Sequence, residues 1–428
     1  QNMNFRVAIP NDLDEIIGLY RACIGIHGCT WDEGYPNREI CIRDIEEGRL
    51  FVMEERVIVS AISYECSDAI NAMDVWQLKK GPFAELSRLA VRPNCQNKGI
   101  ARRMILKTME ELKENGFKTV RYLVSPGNER ALSSYKVLGF KKVGEVDFAD
   151  LHWYAYEKNL YQTEQLITGK YSYNIWRRFV ESVEEYKLLN NGDRIAVCIS
   201  GGKDSMLLAK LMQMVQKYGM YDITVEYIMM NPGYEEENMK KLKLTSELLG
   251  IELKVFDTNV FEDADSAKGN PCFLCSRMRR GYLYRKAQEL GCNKIALGHH
   301  YNDVIETILM GMLYGSQIQT MLPRIESDNV EGMELIRPMY LIKEEDIKAW
   351  SLDTGCSYVK CACRLKNDGE QEDTTRLKVK KLIKELADDN PAVEANIFGS
   401  VMNVDLSKIM SYKLDGKTYS VLYNEQTD

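Results

Sequence analysis

Three stretches of the 428-residue chain hold side chains whose types and spacing suit chemistry. In "RIAVCISGGKDSMLLAK" the residues Ser200, Gly201, Gly202, Lys203, Asp204 and Ser205 follow one another without interruption. Paired glycines let a backbone turn tightly and present its amides to phosphate, and the two serines add hydroxyl donors. Lys203 adds a mobile positive charge. A carboxylate at Asp204 repels phosphate unless a cation such as Mg2+ lies between them, so the run predicts a nucleotide bound together with metal. The spacing G-x-x-x-x-G-K-[ST] is absent, so γ-phosphoryl transfer is not implied. Downstream, Cys272 and Cys275 form C-x-x-C, and Cys361 and Cys363 form C-x-C in "YVKCACRLKN". A C-x-x-C pair alone is half of a zinc site, half of an iron–sulfur site, or a redox couple. C-x-C is too tight for both thiolates to serve an ordinary zinc ribbon. Three thiolates with one open position suit a [4Fe–4S] cluster that takes an outside ligand at its fourth iron, and zinc stays open on spacing alone.

Around these lie groups with supporting chemistry. "KIALGHHYND" sets His299 and His300 at the end of an apolar run, with Asp303 three residues on. Two adjacent histidines cannot both face the core, so at least one is expected to shape the nucleotide crevice. "SRMRRGYLYRK" clusters Arg277, Arg279, Arg280 and Arg285, and guanidinium forks suit an RNA backbone. Tyr282 and Tyr284 in the same stretch suit either stacking on an unstacked base or core packing. Far upstream, "LSRLAVRPNCQNKGIARRM" places Gly99 at a helix start, where unpaired N–H groups and the helix dipole attract an anion.

The elements that must position these residues follow from apolar patterning. After about residue 165 the chain alternates "RIAVCIS", "DITVEYIMM", "IELKVFDT" and "NKIALGHH" as strands with amphipathic helices between them. Such alternation implies a parallel sheet, whose ligands bind beyond the carboxyl ends of the strands. The glycine run, the histidine pair and the cysteines are all expected just after strands, which puts them in one crevice. "YNIWRRFVESVEEYKLLN" reads as an amphipathic helix opening this half, and the earlier half closes on the strand "LHWYAYEKNL".

Length favours two domains, with a boundary near residue 165. Apolar residues at 45% and charged residues at 28% indicate globular protein, and no apolar run is long enough to span a membrane. The N-terminus lacks the order of a secretory signal, so a cytoplasmic location is expected. A net charge of −7 argues mildly against nucleic acid, but the arginine cluster can outvote that average locally. The scattered cysteines among the twelve (Cys23, Cys29, Cys41, Cys66, Cys95, Cys198, Cys292, Cys356) read as small buried apolar residues.

Two resemblances sharpen these readings. "QNKGIA", with Gln96, Gly99 and Ala101, resembles the acetyl-coenzyme A motif of GNAT acetyltransferases, and "GNERALSSYKVLGFKKVGE" resembles that family's second signature. The resemblance implies that amides around Gln96, Lys98, Gly99 and Ala101 hold a pyrophosphate. It also implies that Asn128 contacts acetyl-CoA and that Tyr135 protonates the departing thiolate. Glu85 is a candidate general base, although a solvated carboxylate is the plainer expectation for it. "SGGKDS" resembles the PP-loop of ATP pyrophosphatases, which cleave ATP between the α and β phosphates. From about Tyr173 to Val404 the chain resembles tRNA 2-thiocytidine synthetases, through "GDRIAVCISGGKDS", "PCFLCSRMRRGYLYRKAQELG", "KIALGHH" and the late cysteine.

That family thiolates C2 of an anticodon-loop cytidine by way of an adenylated base, using a cluster held by three cysteines. Carried over, Cys272 and Cys275 are ligands, Cys361 or Cys363 is the third, and Lys203, Asp204 and Asp303 are catalytic. The implied cofactors are ATP, Mg2+, a [4Fe–4S] cluster and acetyl-CoA. The implied partners are tRNA and a sulfur donor such as a cysteine desulfurase, with no membrane; a homodimer is compatible. The motif departs from the family at Asn302, where a carboxylate usually stands, which puts Mg2+ affinity in question. The expected fold is α/β: a GNAT-type domain over residues 1–165, then a doubly wound parallel-sheet domain (adenine nucleotide alpha hydrolase-like, PP-loop) over residues 166–428. The rival reading makes the acetyltransferase the main catalyst and the PP-loop half an ATP- or RNA-binding regulatory module.

Overall fold

The computed structural model describes residues 3–79, 81–231, 234–257, 281–327, 330–359, 375–421 and 426–427. Two compact units emerge: Gln1–Leu166 with Leu244–Gly250 and Leu352–Ser357, and the remainder of the chain. Among the described residues no helix is long and apolar enough to cross a membrane.

The first unit is built on a seven-stranded sheet: β1 (Asn4–Val7), β2 (Leu50–Glu54), β3 (Ile58–Glu65), β4 (Phe83–Val91), β5 (Thr119–Val124), β6 (Lys141–Phe148) and β7 (Leu151–Asn159), in the order β1-β2-β3-β4-β5-β7-β6. The apolar run "LFVM" in β2 reflects burial on both faces. Phe51 and Met53 pack with Met104, Ile105 and Leu112 of the helix Ile100–Glu114. Leu50 and Val52 pack on the other face with Ile16, Leu19 and Tyr20 of the helix Leu13–Cys23. β4 and β5 run parallel but pair only at Phe83↔Thr119, Ala84↔Val120 and Glu85↔Arg121. Beyond Glu85 the two strands part, and the gap becomes the site of this unit.

The second unit has a six-stranded sheet of β8 (Arg194–Cys198), β9 (Thr224–Asn231), β10 (Leu253–Asp257), β11 (Lys294–Ala296), β12 (Arg324–Glu326) and β13 (Glu334–Ile336), ordered β10-β9-β8-β11-β13-β12. Every pairing is parallel except β12 with β13, an antiparallel edge that the sequence pattern did not show. The chain winds outward from β8 through β9 to β10, then returns to lay β11 on the other side of β8. The crevice at such a reversal is where open α/β sheets bind ligands. The helix Lys203–Lys217 begins inside the glycine run itself, at Lys203. It buries Met206, Leu207, Leu208, Leu211, Met212, Met214 and Val215. An apolar surface this wide belongs to an element with neighbours on several sides.

The helix expected at the opening of this half is only partly α. Leu166–Lys170 and Ser172–Arg177 are π-helical, and the α-helix begins at Arg178. The buried anchors explain it: Ile167, Tyr171, Ile175, Phe179 and Val183 stand at every fourth position. An α-helix repeats at about 3.6 residues, so strict fourfold spacing would wind that stripe around its axis. Wider i→i+5 turns absorb the excess and keep the anchors on one side.

Candidate functional site

The first-turn amides of the helix Lys203–Lys217 have no partner within that helix, as at any helix N-terminus. Gly201, at φ 84°, makes the turn that aims them outward. A side chain there would also collide, because a Cβ at Gly201 would lie 2.5 Å from Leu242 Cδ1. The serines are employed differently from expectation. Ser205 is 5% exposed, and its Oγ donates to Gly202 O at 3.0 Å and accepts the Ser200 amide at 3.1 Å. Ser205 therefore braces the loop, whereas Ser200 is exposed with its Oγ 3.1 Å from Ser205 Oγ. Lys203 Nζ lies 2.9 Å and 3.1 Å from the two Asp204 carboxylate oxygens and 3.6 Å from Glu344 Oε1.

The histidine loop after β11 joins this site. A Cβ on Gly298 would stand 3.2 Å from both Asp204 C and Ser205 N, tighter than an ordinary contact, so glycine eases the close approach of the histidine loop to the first turn of the helix Lys203–Lys217. Gly298→Ala is expected to force the loops apart and to lower stability by about 1–3 kcal/mol, read as a shifted urea midpoint with unchanged slope. His300 is buried, with Nε2 3.8 Å from Asp204 Oδ1 and its backbone N–H donating to Asp303 Oδ2 at 3.0 Å. Asp303 thus caps the helix Tyr301–Gly315 and holds the histidine loop. Burial pulls the His299 imidazole down to about 4 despite the opposing pull of Asp303, so it is neutral near pH 7. Asn302 accepts the Glu344 backbone N–H at 2.9 Å through Oδ1, which an amide does as well as a carboxylate. Glu344 itself carries no motif, and only its contact with Lys203 marks it.

Cys272, Cys275, Arg277, Arg279, Arg280, Cys361 and Cys363 lie outside the described residues. Among the described residues, no group of three or more His, Cys, Asp or Glu side chains is arranged to hold a metal ion. Val359, two positions before Cys361 in the sequence, donates its N–H to Gly201 O at 3.0 Å. Arg285 is exposed, with its guanidinium 5.4 Å from the Tyr282 ring centre. Tyr284 packs against the apolar cluster of Ala196, Ile228 and Ile295, so core packing is its role. The scattered cysteines divide. Cys23, Cys41, Cys198 and Cys292 are buried, and burial pushes the Cys198 thiol up to about 12. Cys29, Cys95 and Cys356 are half-buried, and Cys66 is exposed, contrary to expectation.

In the first unit the parting of β4 and β5 opens a cavity of about 1040 Å³, lined by Glu85, Gln96, Gly99, Ala101, Asn128 and Tyr135 among others. Gly99, at φ 77°, caps the helix Ile100–Glu114 and leaves its first amides facing that space. The polar side chains nearby hold the loop. Gln96 donates to Val91 O and accepts from Arg130, Lys98 Nζ donates to Asn94 O, and Asn128 Oδ1 caps Ala131 N–H at 3.1 Å. Tyr135 stacks on Tyr122 with ring centres 4.2 Å apart, and burial raises its phenol, keeping the proton on.

Glu85 is not a solvated carboxylate: it is 9% exposed, and its Oε2 has no hydrogen-bond partner. Burial, with Glu65 adding repulsion, lifts it to about 8. Beside it Arg88 adopts φ 50° in mid-strand, a left-handed backbone that costs on the order of 1–3 kcal/mol. Its guanidinium is held 2.7 Å from both Asp44 and Glu65.

Comparison with known proteins finds a family for each half of the chain. Residues 173–368 match the PP-loop domain family, and residues 17–140 match the acetyltransferase (GNAT) family. A tRNA-cytidine(32) 2-sulfurtransferase of Coxiella burnetii (strain CbuG_Q212) is 35% identical over 239 residues, 55% of this chain and 91% of the relative. A tRNA-cytidine(32) 2-sulfurtransferase 2 of Francisella tularensis subsp. tularensis (strain WY96-3418) is 36% identical over 241 residues, 55% of this chain and 92% of the relative. Among solved structures, a U34-tRNA thiolase from Methanococcus maripaludis with its [4Fe-4S] cluster aligns at 20% identity and TM-score 0.43, covering 54% of this chain and 79% of the thiolase.

Proposed function

The chain belongs, through its C-terminal half, to the tRNA-cytidine(32) 2-sulfurtransferase family, and from that premise we propose ATP-dependent thiolation at C2 of a tRNA anticodon-loop cytidine. In this reading the cytidine O2 attacks the α-phosphorus of ATP and pyrophosphate leaves. The adenylated C2 is then electrophilic, sulfide (donor sulfur brought to that level by a thiol reductant) bonds to it with its own electron pair, and the C2–O2 bond breaks as AMP departs with that oxygen. Lys203 and the amides after Gly201 hold phosphate, Asp204 would hold an accompanying Mg2+, Asp303 fixes the histidine loop beside it, and neutral His299 shapes the crevice without adding charge. Cys272 and Cys275 with Cys361 or Cys363 would hold a [4Fe–4S] cluster, whose chemistry is to carry the sulfur supplied by a donor such as a cysteine desulfurase. Arg277, Arg279, Arg280 and Arg285 would meet the RNA backbone, and the reaction would run in the cytoplasm.

The observation that carries this reading is the hydrogen bond from Val359 N–H to Gly201 O. Cys361 stands two positions after Val359 in the sequence. The described chain that leads towards it is joined to the phosphate loop as far as Val359, which is what supports sulfur transfer to an ATP-activated base. The test is anaerobic purification of the full chain with iron, zinc and sulfide analysis, joined to mass analysis of tRNA nucleosides from cells with and without the protein. Iron and sulfide in the protein, with 2-thiocytidine missing from the deficient cells, is the expected pair. Zinc alone, or an unchanged nucleoside profile, overturns the assignment.

A second activity has its own support. Glu85 and Tyr135 line one cavity in opposite proton states of readiness, a carboxyl able to ionise near neutral pH and a phenol that keeps its proton. That pairing suits acetyl transfer from acetyl-CoA to an amine, with Glu85 taking the amine proton and Tyr135 giving one to the thiolate.

A further inference from the structure

The contacts of Lys203 continue into a closed circuit of charges that no sequence motif marks. Glu344 pairs with Lys203 at 3.6 Å, with Lys348 at 3.0 Å, and with Lys380. Lys380 also lies 4.0 Å from Glu306 Oε1, and Glu306 Oε2 accepts from Arg376 Nε at 2.7 Å. Arg376 Nη2 donates to Asp303 Oδ1 at 3.1 Å, and Asp303 approaches His300 Nδ1 at 3.5 Å. His300 Nε2 faces Asp204 at 3.8 Å, and Asp204 returns to Lys203. Arg376 and Lys380 stand one turn apart on the helix Thr375–Asp389, so a single helix face supplies two of the cations.

The charge count explains what this circuit does. Four carboxylates (Asp204, Asp303, Glu306, Glu344) meet four permanent cations (Lys203, Lys348, Arg376, Lys380). Glu306 and Glu344 have 6% and 14% of their side chains exposed, so solvent screens them weakly. Without Lys380, the Glu344 carboxylate would draw on Lys203, the cation nearest the phosphate loop. Without Arg376, Asp303 and Glu306 would repel a triphosphate.

We propose that Lys380 and Arg376 are positioning residues of the nucleotide site: they neutralise Glu344, Glu306 and Asp303 so that Lys203 is left for phosphate and Asp204 for its cation. The proposal rests on the reading of the loop as an ATP site. It extends that site to a helix face whose residues need not touch the nucleotide.

Isothermal titration of the full chain with Mg–ATP tests it in four proteins: wild type, Lys380→Met, Glu344→Gln and the double variant. Lys380→Met is expected to weaken Mg–ATP about fivefold, the equivalent of one lost charge pairing. Adding Glu344→Gln removes the carboxylate left short of a cation and is expected to bring affinity back to within about twofold of wild type. A weakening that Glu344→Gln does not relieve would mean that Lys380 itself holds phosphate, and unchanged binding in Lys380→Met would mean that the circuit does not reach the site. Either result overturns the proposal. The pair Arg376→Gln and Glu306→Gln repeats the design if Lys380→Met fails to fold. Wild type that does not bind Mg–ATP overturns the ATP reading itself, which keeps the two failures apart.

Discussion

Cys272→Ala is expected to remove 2-thiocytidine from tRNA completely while leaving Mg–ATP binding within about twofold of wild type. The two halves of that expectation have different origins. Thiolation needs every sulfur ligand, because loss of one thiolate from a three-cysteine site leaves an iron without its protein anchor. Nucleotide binding needs none of them. The phosphate loop is shaped by Gly201, Ser205 and Gly298, and its charges are set by Lys203, Asp204 and Glu344. The checks are iron and sulfide content, nucleoside mass analysis after complementation, and titration with Mg–ATP. Retained thiolation in Cys272→Ala would end the cluster assignment. Lost thiolation together with lost nucleotide binding would show instead that this cysteine supports the fold.

Glu85→Gln is expected to lower acetyl transfer by about 10²–10³-fold and to flatten its pH profile. With its pKa lifted to about 8, Glu85 is about one-tenth ionised at pH 7, so the wild-type rate should climb with pH and level off above pH 8. The amide cannot ionise, so that limb disappears. Stability should move the other way. A carboxyl of ordinary value 4.5 that rises on folding favours the native state fully below pH 4.5 and loses that contribution as pH climbs towards 8. At pH 8 the variant should therefore exceed wild type by on the order of 4 kcal/mol, and at pH 4 the two should match. Urea melts at both pH values test the sign. Equal stability at pH 8 would show that Glu85 ionises without penalty, and the proposed base would lose its rationale.

How much of this could be read in the sequence depends on how local each cause is. "SGGKDS" and "GHHYND" are legible because glycine, charge and helix-start chemistry act over a few neighbouring residues, and the strand–helix alternation gives the parallel sheet for the same reason. The edge strand β12 was missed because three residues, all exposed, carry no alternation. Glu85 looks like any surface carboxylate in a string of letters; the divergence of β4 from β5 and the layers around them bury it. Lys380 and Arg376 read as an ordinary charged helix face, since the carboxylates they meet lie dozens of positions away. The π turns at Leu166–Lys170 and Ser172–Arg177 were in view as a fourfold stripe, but the usual helical count absorbs such a stripe without complaint.

The bond between Val359 and Gly201 is made by main chain on both sides. Exchanging one side chain for another at position 359 leaves its donor in place, and of the natural residues proline alone removes it. The path of the polypeptide at that point is therefore constrained where the identity of the residue is not.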